Sequence, residues 1–298
     1  MYFATYFQEG DKKLGLVYPQ ENRILALDKI IGGDSASNML DFIGNCNEDI
    51  LKEISLAMTE GDKYLDESIS LNSVRLGPPI CKARRNIICL GLNYRDHAEE
   101  LQSTMGDQAQ IPDAPVYFTK MASSIRGSME EIDSHSPITR EIDYEVELAI
   151  IIGKEGKNIK RDRAEEYIFG YSILNDLTAR DLQKKHNQWM KGKSLDGFTA
   201  MGPWIVHKNK LPLPLNLNIS AQVNGEVRQN SNTKNLIFDI AYIIEDLSKG
   251  MTLQVGDIIA TGTPGGVGMG FEPPKYLKSG DMITCSIEGI GSLVNTIK

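Results

Sequence analysis

Apolar and polar residues alternate most regularly between Glu141 and Gly153. Because the side chains of a β-strand point alternately to its two faces, this alternation predicts a strand with one core face and one acidic face. The apolar row consists of Tyr144, Val146, Leu148, Ile150 and Ile152. The acidic row consists of Asp143, Glu145 and Glu147.

The acidic row has two interpretations. Residues two apart on a strand are roughly 6.5 to 7 Å apart at the backbone, so two carboxylates can converge on a hard divalent cation with oxygen ligands at about 2.0 to 2.6 Å. Without a cation their crowding is repulsive. The row also fits an edge strand with a solvated acidic face, and the pattern taken alone favours that second interpretation.

Short strands and a helical stretch precede this strand. Residues 14–27 contain two apolar segments around a turn, which predicts a β-hairpin. Residues 37–59 have apolar positions at nearly helical spacing. Two prolines in Gly77-Pro78-Pro79 forbid regular structure there. The sequence therefore predicts a small N-terminal accessory domain over residues 1–78 and a larger second domain over residues 79–298.

A candidate acid–base pair follows the boundary. Residues 86–92 form a predicted strand, and a helix is predicted to begin at Asn93, whose side chain can cap it. On that helix His97 and Glu100 are three residues apart and therefore lie on the same face. A carboxylate beside an imidazole fixes its tautomer and raises its basicity, as a general base requires. A surface histidine with a helical neighbour would give the same pattern.

Charged residues also end two other predicted strands. Lys120 ends a strand over residues 115–120, where it either reaches solvent, the favoured alternative, or contacts an anion. Asp176 follows a buried strand over residues 167–174, and it is either a third carboxylate ligand or a helix cap. A basic segment follows at residues 184–193, and composition does not single out one of its four lysines.

The C-terminal part is rich in short strands. Asn224-Gly225 is a strong signal for a two-residue hairpin turn, and turn glycines precede the strands predicted at residues 258–261 and 282–287. This pattern predicts an α+β, β-rich fold with a sheet that closes on itself. Residues 261–270 form a glycine-rich loop whose N–H groups either bind a carboxylate or an enolate or simply make a tight turn.

Composition narrows the function classes. The chain of 298 residues carries a formal net charge of -8, so neither a nucleic-acid partner nor an anionic membrane surface is expected. No apolar run approaches the ~20 residues of a membrane span, and the N-terminus lacks a signal-peptide pattern. The four cysteines have no C-x-x-C spacing, which favours a reducing cytoplasm over a disulfide framework or a zinc ribbon.

The order of the motifs resembles that of the fumarylacetoacetate hydrolase family, in particular its bacterial branch of acylpyruvate hydrolases and 2-hydroxyhepta-2,4-diene-1,7-dioate isomerases. The resemblance runs from about Cys81 to the C-terminus. The motifs that carry it are Gly91-Leu92-Asn93-Tyr94-Arg95-Asp96-His97, Asp143-Tyr144-Glu145-Val146-Glu147-Leu148, Asn175-Asp176 with Ala179-Arg180-Asp181-Leu182-Gln183, Lys191-Gly192-Lys193-Ser194-Leu195-Asp196, and Thr261-Gly262-Thr263-Pro264-Gly265-Gly266-Val267-Gly268.

The resemblance implies a fold, a metal and a set of site residues. The fold would be a mixed β-roll or barrel-like catalytic domain, commonly in a homodimer, with one Mg2+ or Mn2+ ion. The metal ligands would be Glu145, Glu147 and Asp176. The catalytic residues would be His97, Glu100 and Lys193. The residues that contact substrate or a metal-bound water would be Arg180, Gln183 and Thr263.

This residue set predicts chemistry on a 2-oxo acid. The substrate would chelate the metal, which holds the developing enolate, while Lys193 adds positive charge and His97, oriented by Glu100, deprotonates a water. The leading hypothesis is a Mg- or Mn-dependent hydrolase that cleaves a C–C bond in an acylpyruvate-like diketo acid. One alternative is an isomerase or decarboxylase of a related 2-oxo acid, of the 2-hydroxyhepta-2,4-diene-1,7-dioate or oxaloacetate type. Another is a metal-containing binding protein without turnover.

Overall fold

Strands and short helices follow one another along the part of the chain that the structure describes. The computed structural model describes residues 1–32, 37–59, 61–97 and 112–298. The strands are β1 (Tyr2–Gln8), β2 (Asp11–Tyr18), β3 (Arg23–Ala26), β4 (Ile69–Ser70), β5 (Arg75–Leu76), β6 (Ile87–Gly91), β7 (Val116–Lys120), β8 (Ile125–Arg126), β9 (Glu131–Ile132), β10 (Ile142–Asp143), β11 (Val146–Ile152), β12 (Ile168–Asp176), β13 (Thr178–Ala179), β14 (Thr199–His207), β15 (Asn218–Val223), β16 (Glu226–Asn232), β17 (Ile258–Ala260), β18 (Met282–Ile287) and β19 (Gly291–Ile297).

The helices lie between the strands in the order of the chain. They are α1 (Asp28–Ile31), α2 (Met39–Asn45), α3 (Glu48–Thr59), α4 (Gly61–Glu67), α5 (Arg180–Lys185), α6 (Met190–Lys193) and α7 (Ile240–Ser248). A further helical turn begins at Arg95, close to the predicted start at Asn93. The predicted cap is wrong, because Oδ1 of Asn93 accepts the N–H of the distant Phe238 at 2.8 Å. Among the described residues, no helix is both long enough and apolar enough to cross a membrane.

The strands form two main sheets. Within the described residues, the larger sheet has 12 strands and runs β4-β3-β2-β1-β14-β12-β11-β17-β6-β7, with β5 paired to β1 and β8 paired to β14. The smaller sheet runs β16-β15-β18-β19-β9, and β10 pairs with β13 by itself. The predicted Asn224-Gly225 hairpin joins β15 to β16. The strand-rich mixture of helix and sheet confirms the predicted fold class.

The predicted closure of a sheet on itself is wrong. Closure requires the two end strands of a sheet to pair with each other. In the described part of the chain, β4 pairs with β3 and β7 pairs with β6, so both ends of the larger sheet stay open. Short strands separated by turn glycines occur in open and closed sheets alike. The pattern therefore could not decide between them.

The centre of the larger sheet is buried on both faces. All residues of β11 and β12 are buried. Leu148 and Ile150 pack into one apolar cluster, whereas Ala149 and Ile151 pack into a second cluster on the opposite face. The expectation of one core face and one acidic face therefore fails beyond Glu147. Strands that are covered on both faces are apolar at every position, which removes the alternation.

The predicted strand over residues 141–153 is interrupted at Tyr144 and Glu145. Before the interruption β10 pairs with β13, and after it β11 pairs with β12 and β17. Because the chain changes partner here, the acidic residues leave the regular alternation of a single strand. Glu145 consequently lies where the chain leaves the pairing with β13 and enters the pairing with β12. This position allows its side chain to approach the end of β12.

The larger sheet continues across the predicted boundary at residue 78. Tyr2 and Phe3 of β1 pair with Val206 and Ile205 of β14, and the ring of Phe3 lies 5.7 Å from that of Phe169. The predicted hairpin is formed by β2 and β3. Residues 1–78 thus share a sheet and a core with the rest of the chain, and the division into two domains stays a prediction.

Candidate metal centre and active site

Three carboxylates from neighbouring segments meet at one point. Glu145 links β10 to β11, Glu147 lies on β11 and Asp176 ends β12. One carboxylate oxygen of each lies within 4.8 Å of the others, and all three side chains are buried. Oxygen donors at this spacing fit a hard divalent cation. The structure thus brings together the three predicted metal ligands, and their coordination of a metal stays a prediction.

The antiparallel pairing of β11 with β12 fixes the carboxylates through the backbone. Val146 lies opposite Asn175 in the register. The N–H of Asp176 donates to the carbonyl of Glu145 at 2.9 Å. The N–H of Glu145 in turn donates to Oδ1 of Asn175 at 3.0 Å. The positions of the acidic side chains are therefore set by the sheet and not by a flexible loop.

Lys193, the last residue of α6, contacts two of the three carboxylates. Its Nζ donates to Oε2 of Glu145 at 2.6 Å and to Oδ2 of Asp176 at 2.9 Å. Burial lowers the pKa of this ammonium, but the charges of Asp176 and Glu145 outweigh burial and raise the pKa above its ordinary value. Lys193 is thus held in its charged form beside the acidic cluster.

Lys120 is a second buried lysine at the cluster, and sequence reasoning favoured solvent for it. It ends β7 with no exposed surface. Its Nζ pairs with Oδ1 of Asp176 and donates to the carbonyls of Leu177 at 3.1 Å and Phe198 at 3.0 Å. These three contacts use the three hydrogens of an ammonium. Lys120 therefore contacts an anion, which was the other of the two sequence-based alternatives. The anion is the carboxylate of Asp176, and the ion pair holds this carboxylate in place.

Arg180 connects the cluster to a further buried carboxylate. Its Nε donates to Oδ2 of Asp143 at 2.8 Å, and its Nη2 forms an ion pair with Oε1 of Glu145 at 2.7 Å. Its Nη1 donates to Oε1 of Gln183 at 3.0 Å. Asp143, the first member of the acidic row, is therefore a partner of Arg180. Sequence reasoning assigned it no such role, because nothing local links it to a residue on α5.

The glycine-rich loop over residues 261–270 donates backbone N–H groups to the protein's own carboxylates. The N–H of Gly262 donates to Oε2 of Glu147 at 2.8 Å. The N–H of Gly268 donates to Oδ1 of Asp143 at 2.6 Å. Both carboxylates belong to the chain itself. Binding of a substrate carboxylate or enolate by this loop therefore stays a prediction.

The backbone of this loop is held in place by the strands next to it. Thr263 Oγ1 donates to the carbonyl of Val146 at 3.0 Å and accepts a bond from Gln229 Nε2 at 2.8 Å. Gly266 has a φ of +94°, and a Cβ there would lie 1.9 Å from the carbonyl oxygen of Arg228. Only glycine fits at that position. The loop is therefore fixed between its two contacts with the carboxylates, at Gly262 and Gly268.

His97 reaches the site, whereas its predicted partner is outside the described residues. The His97 side chain is buried and lines the same cavity as Glu145 and Glu147. Glu100 falls in the stretch 98–111, which the structure does not describe. The pairing of His97 with Glu100 therefore stays a prediction.

The surroundings of Glu145 and Glu147 shift the pKa values of the two side chains in opposite directions. Burial, followed by the charges of Asp176 and Glu145, raises the pKa of Glu147 well above its usual range. Burial also acts to raise the pKa of Glu145, but Lys193 and Arg180 lower it below the ordinary value. A cation bound between the carboxylates would favour the charged form of Glu147 as well. The donor set therefore fits a divalent cation in charge as well as in geometry.

Carboxylates outnumber cationic side chains in this cluster, among the residues that the structure describes. When all groups are ionised, four buried carboxylates face three buried cations in the described part of the chain, which leaves one excess negative charge. The carboxylates are Asp143, Glu145, Glu147 and Asp176. The cations are Lys120, Arg180 and Lys193. A divalent cation would change the net charge of the cluster to one positive.

A cavity of about 250 Å³ opens beside the cluster. Its apolar lining consists mainly of Leu90, Leu92, Phe118, Trp189 and Met269. Its polar lining includes His97, Glu145, Glu147 and Lys193. The three residues predicted to contact substrate also line it, namely Arg180, Gln183 and Thr263. An acidic cluster, fixed cations and an apolar wall thus surround one small space.

Comparison with known proteins identifies the family. Residues 86–298 match the family described as fumarylacetoacetate (FAA) hydrolase, C-terminal. The chain belongs to the fumarylacetoacetate hydrolase family. This match confirms the resemblance found in the sequence motifs. Among curated relatives, the oxaloacetate tautomerase YisK of Bacillus subtilis is 52% identical over 228 residues, which cover 76% of this chain and 74% of the relative.

Solved structures of family members have the same fold over the whole chain. The fumarylacetoacetate hydrolase of Exiguobacterium antarcticum is 40% identical, with a TM-score of 0.83 over 100% of this chain and 99% of that one. The maleylpyruvate hydrolase of Sphingobium sp. SYK-6, in complex with manganese(II) and pyruvate, is 29% identical, with a TM-score of 0.78 over 100% and 98%. Enzymes with different reactions therefore share this architecture.

The buried partner of Arg180 provides a test of the network. In Asp143→Asn the amide oxygen can still accept the N–H of Gly268, but the negative charge that faces Arg180 is lost. Breaking a buried ion pair from one side costs about 3 to 5 kcal/mol. We therefore expect the free energy of unfolding, measured by urea denaturation, to fall by about that amount.

Glu226→Gln is the matched control, because Glu226 forms an exposed ion pair with Lys275. Exposed pairs contribute little to stability. The control should unfold at nearly the same urea concentration as the unmodified chain. Equal stability of the Asp143 and Glu226 variants would contradict the proposed importance of the buried network.

Proposed function

We propose that the chain is a divalent-cation-dependent enzyme that enolises a 2-oxo acid, with a short oxo dicarboxylate of the oxaloacetate type as its substrate. The observation that carries this proposal is the convergence of Glu145, Glu147 and Asp176 beside Lys193 at the edge of one cavity. Oxygen donors of this kind suit Mg2+ or Mn2+. The manganese and pyruvate in the Sphingobium structure support a metal and an oxo acid at such a site.

Charge explains why an anion would enter this cavity. The chain as a whole carries a formal net charge of -8, which opposes the approach of an anion. When bound, a divalent cation supplies a Lewis acid that polarises the oxo group and stabilises negative charge on its oxygen. The cluster would then be positive by one charge. Local charge at the cluster, and not the charge of the whole chain, would select an anionic substrate.

The residues around the cavity account for the proton movement. Enolisation transfers a proton from C3 of the oxo acid to the oxo oxygen, with no change in oxidation state and no break in the carbon chain. The ammonium of Lys193 would stabilise the negative charge that develops on the oxo oxygen. His97, which lines the same cavity, is the candidate carrier of the proton. Arg180 and Gln183 would orient the carboxylates of the substrate.

Tautomerisation is placed ahead of hydrolysis, which ranked first on sequence alone. A relative that is 52% identical is named an oxaloacetate tautomerase, and this likeness supports the same reaction here. Tautomerisation needs a charged stabiliser and one proton carrier, and Lys193 and His97 can fill these roles. Hydrolysis would also need a water activated by the pair of His97 and Glu100.

Metal removal tests the proposal. We expect protein stripped with a chelator to leave the conversion of enol-oxaloacetate to its keto form at the uncatalysed rate, followed by ultraviolet absorbance. Added Mn2+ or Mg2+ should restore catalysis. Lys193→Met should lower the rate by about 10²- to 10³-fold, the usual effect of removing an oxyanion stabiliser. Lys185→Met is the control, because Lys185 is exposed on the neighbouring helix. Undiminished catalysis after chelation would contradict the proposal.

A second candidate reaction is the hydrolytic cleavage of an acylpyruvate. The position of His97 in a cavity with an apolar wall favours it, since water activation and an acyl group would both find a place there. In this reaction water adds to the acyl carbonyl, and the adjacent C–C bond breaks to give pyruvate and a carboxylic acid. Product analysis separates the two candidates, because tautomerisation releases neither product.

His97→Ala tests the role of the imidazole in either reaction. Loss of a positioned acid or base typically costs about 10²- to 10⁴-fold in rate. We expect a decrease in that range in kcat, with little change in folding, and product analysis as the measurement. The exposed His186 provides the control substitution, His186→Ala. Turnover that persists at full rate in His97→Ala would remove the imidazole from the mechanism.

Assembly and location remain part of the proposal. Kinship with the family supports a homodimer, and the spacing of the cysteines supports a reducing cytoplasm. The four cysteines are free in the structure. We propose a small-molecule oxo acid as the partner of the site, and no nucleic acid or membrane.

A further inference from the structure

We infer that Trp189 limits the size of the group that a substrate carries beyond its oxo carbon. This inference rests on the proposed function and narrows its substrate class. Trp189 lines the cavity beside the carboxylate cluster and directly precedes α6, the helix that carries Lys193. It is one of two tryptophans in the chain. A large aromatic side chain in a small cavity determines which substrates fit.

The indole of Trp189 is held against rigid neighbours. Its ring lies edge to face with Phe118, with 5.3 Å between the ring centroids. The indole also packs against the backbone of Gly91 at the end of β6, where a Cβ would lie only 2.5 Å from it. Gly91 therefore provides the space in which the indole lies. The indole cannot retreat in that direction, because the backbone of the sheet is already there.

The helix that follows Trp189 is also fixed. The N–H of Lys193 donates to the carbonyl of Trp189 at 3.1 Å. At Gly192 a Cβ would lie 2.6 Å from the backbone nitrogen of Gln183, so α6 is packed directly on the backbone of α5. Neither end of this segment can move away from the cavity without breaking those contacts. Trp189 is thus a fixed wall and not a movable gate.

This wall lies close to the reacting groups. The Phe118 ring that touches Trp189 also lies 5.2 Å from Nζ of Lys193, and that Nζ contacts Glu145 at 2.6 Å. The ring of Phe118 therefore lies next to both Trp189 and the ammonium of Lys193. The cavity of about 250 Å³ is below the ~300 to 1,000 Å³ typical of pockets for drug-sized ligands. The indole of Trp189 occupies part of this small space, so we expect a short oxo acid to fit better than one with an aromatic acyl group.

Two acylpyruvates of equal charge test the inference. Acetylpyruvate and benzoylpyruvate share the reacting atoms and differ only in the acyl group. We expect the unmodified manganese-loaded enzyme to prefer acetylpyruvate in kcat/KM, measured from the loss of enol absorbance. Trp189→Ala should raise kcat/KM for benzoylpyruvate relative to acetylpyruvate by at least about tenfold, the lower end of the discrimination that one pocket contact provides.

A second variant should make the cavity smaller, whereas Trp189→Ala should enlarge it. Gly91→Ala places a methyl group where the indole now lies, so the ring must move away from β6, and the cavity that both residues line loses space. We expect this variant to discriminate against benzoylpyruvate more strongly than the unmodified enzyme. Met190→Ala is the matched control, since Met190 is the exposed neighbour of Trp189 on α6. It should leave the preference unchanged.

A binding measurement does not depend on turnover. Benzoylformate is an aromatic 2-oxo acid without an enolisable hydrogen, and calorimetry should show tighter binding to Trp189→Ala than to the unmodified protein. The inference is overturned if Trp189→Ala and Gly91→Ala both keep the original preference, or if Trp189→Ala loses both substrates while Gly91→Ala keeps that preference. Absence of turnover by the unmodified enzyme on every oxo acid would instead reject the proposed function, and benzoylformate binding would still decide the role of Trp189.

Discussion

Mutual repulsion among buried carboxylates is the constraint on which this structure depends. A buried charge without a partner costs several kcal/mol, so each carboxylate in the cluster needs a fixed counterpart. Lys120 comes from β7, Arg180 from α5 and Lys193 from α6, while Gly262 contributes a backbone N–H. These partners belong to separate segments that the larger sheet and its flanking helices bring together. The site is therefore complete only when β7, β11, β12 and the two helices have come together, which links the stability of this part of the fold to the chemistry of the site.

Local signals predicted the elements of the fold better than their arrangement. The hairpin turn at Asn224-Gly225 and the buried strand before Asp176 follow from residue type and periodicity, and both are present. The open sheet was not predictable in this way, because closure depends on whether two distant edge strands pair. The break at Tyr144 was also missed. It results from a change of pairing partner, which leaves no mark on the alternation of side chains.

The site was partly predictable for the same reason. The order of the motifs along the chain pointed to Glu145, Glu147 and Asp176, and the structure brings these three together. Lys120 was misjudged because a lysine at a strand end usually reaches solvent. Its burial depends on carbonyl groups from distant residues. The role of Asp143 was missed because its partner Arg180 is distant in sequence. Local patterns predict candidate charges, and only the tertiary fold determines which of them become partners.

The central claim is that one divalent cation binds among these three carboxylates. A crystal structure of the manganese-loaded protein, with anomalous diffraction to locate the metal, tests it most directly. One manganese peak per chain is predicted, at about 2.0 to 2.6 Å from an oxygen of each of Glu145, Glu147 and Asp176. The peak should be absent from crystals of Glu147→Gln prepared in the same way. Manganese bound elsewhere, or a peak that persists unchanged in Glu147→Gln, would contradict the claim.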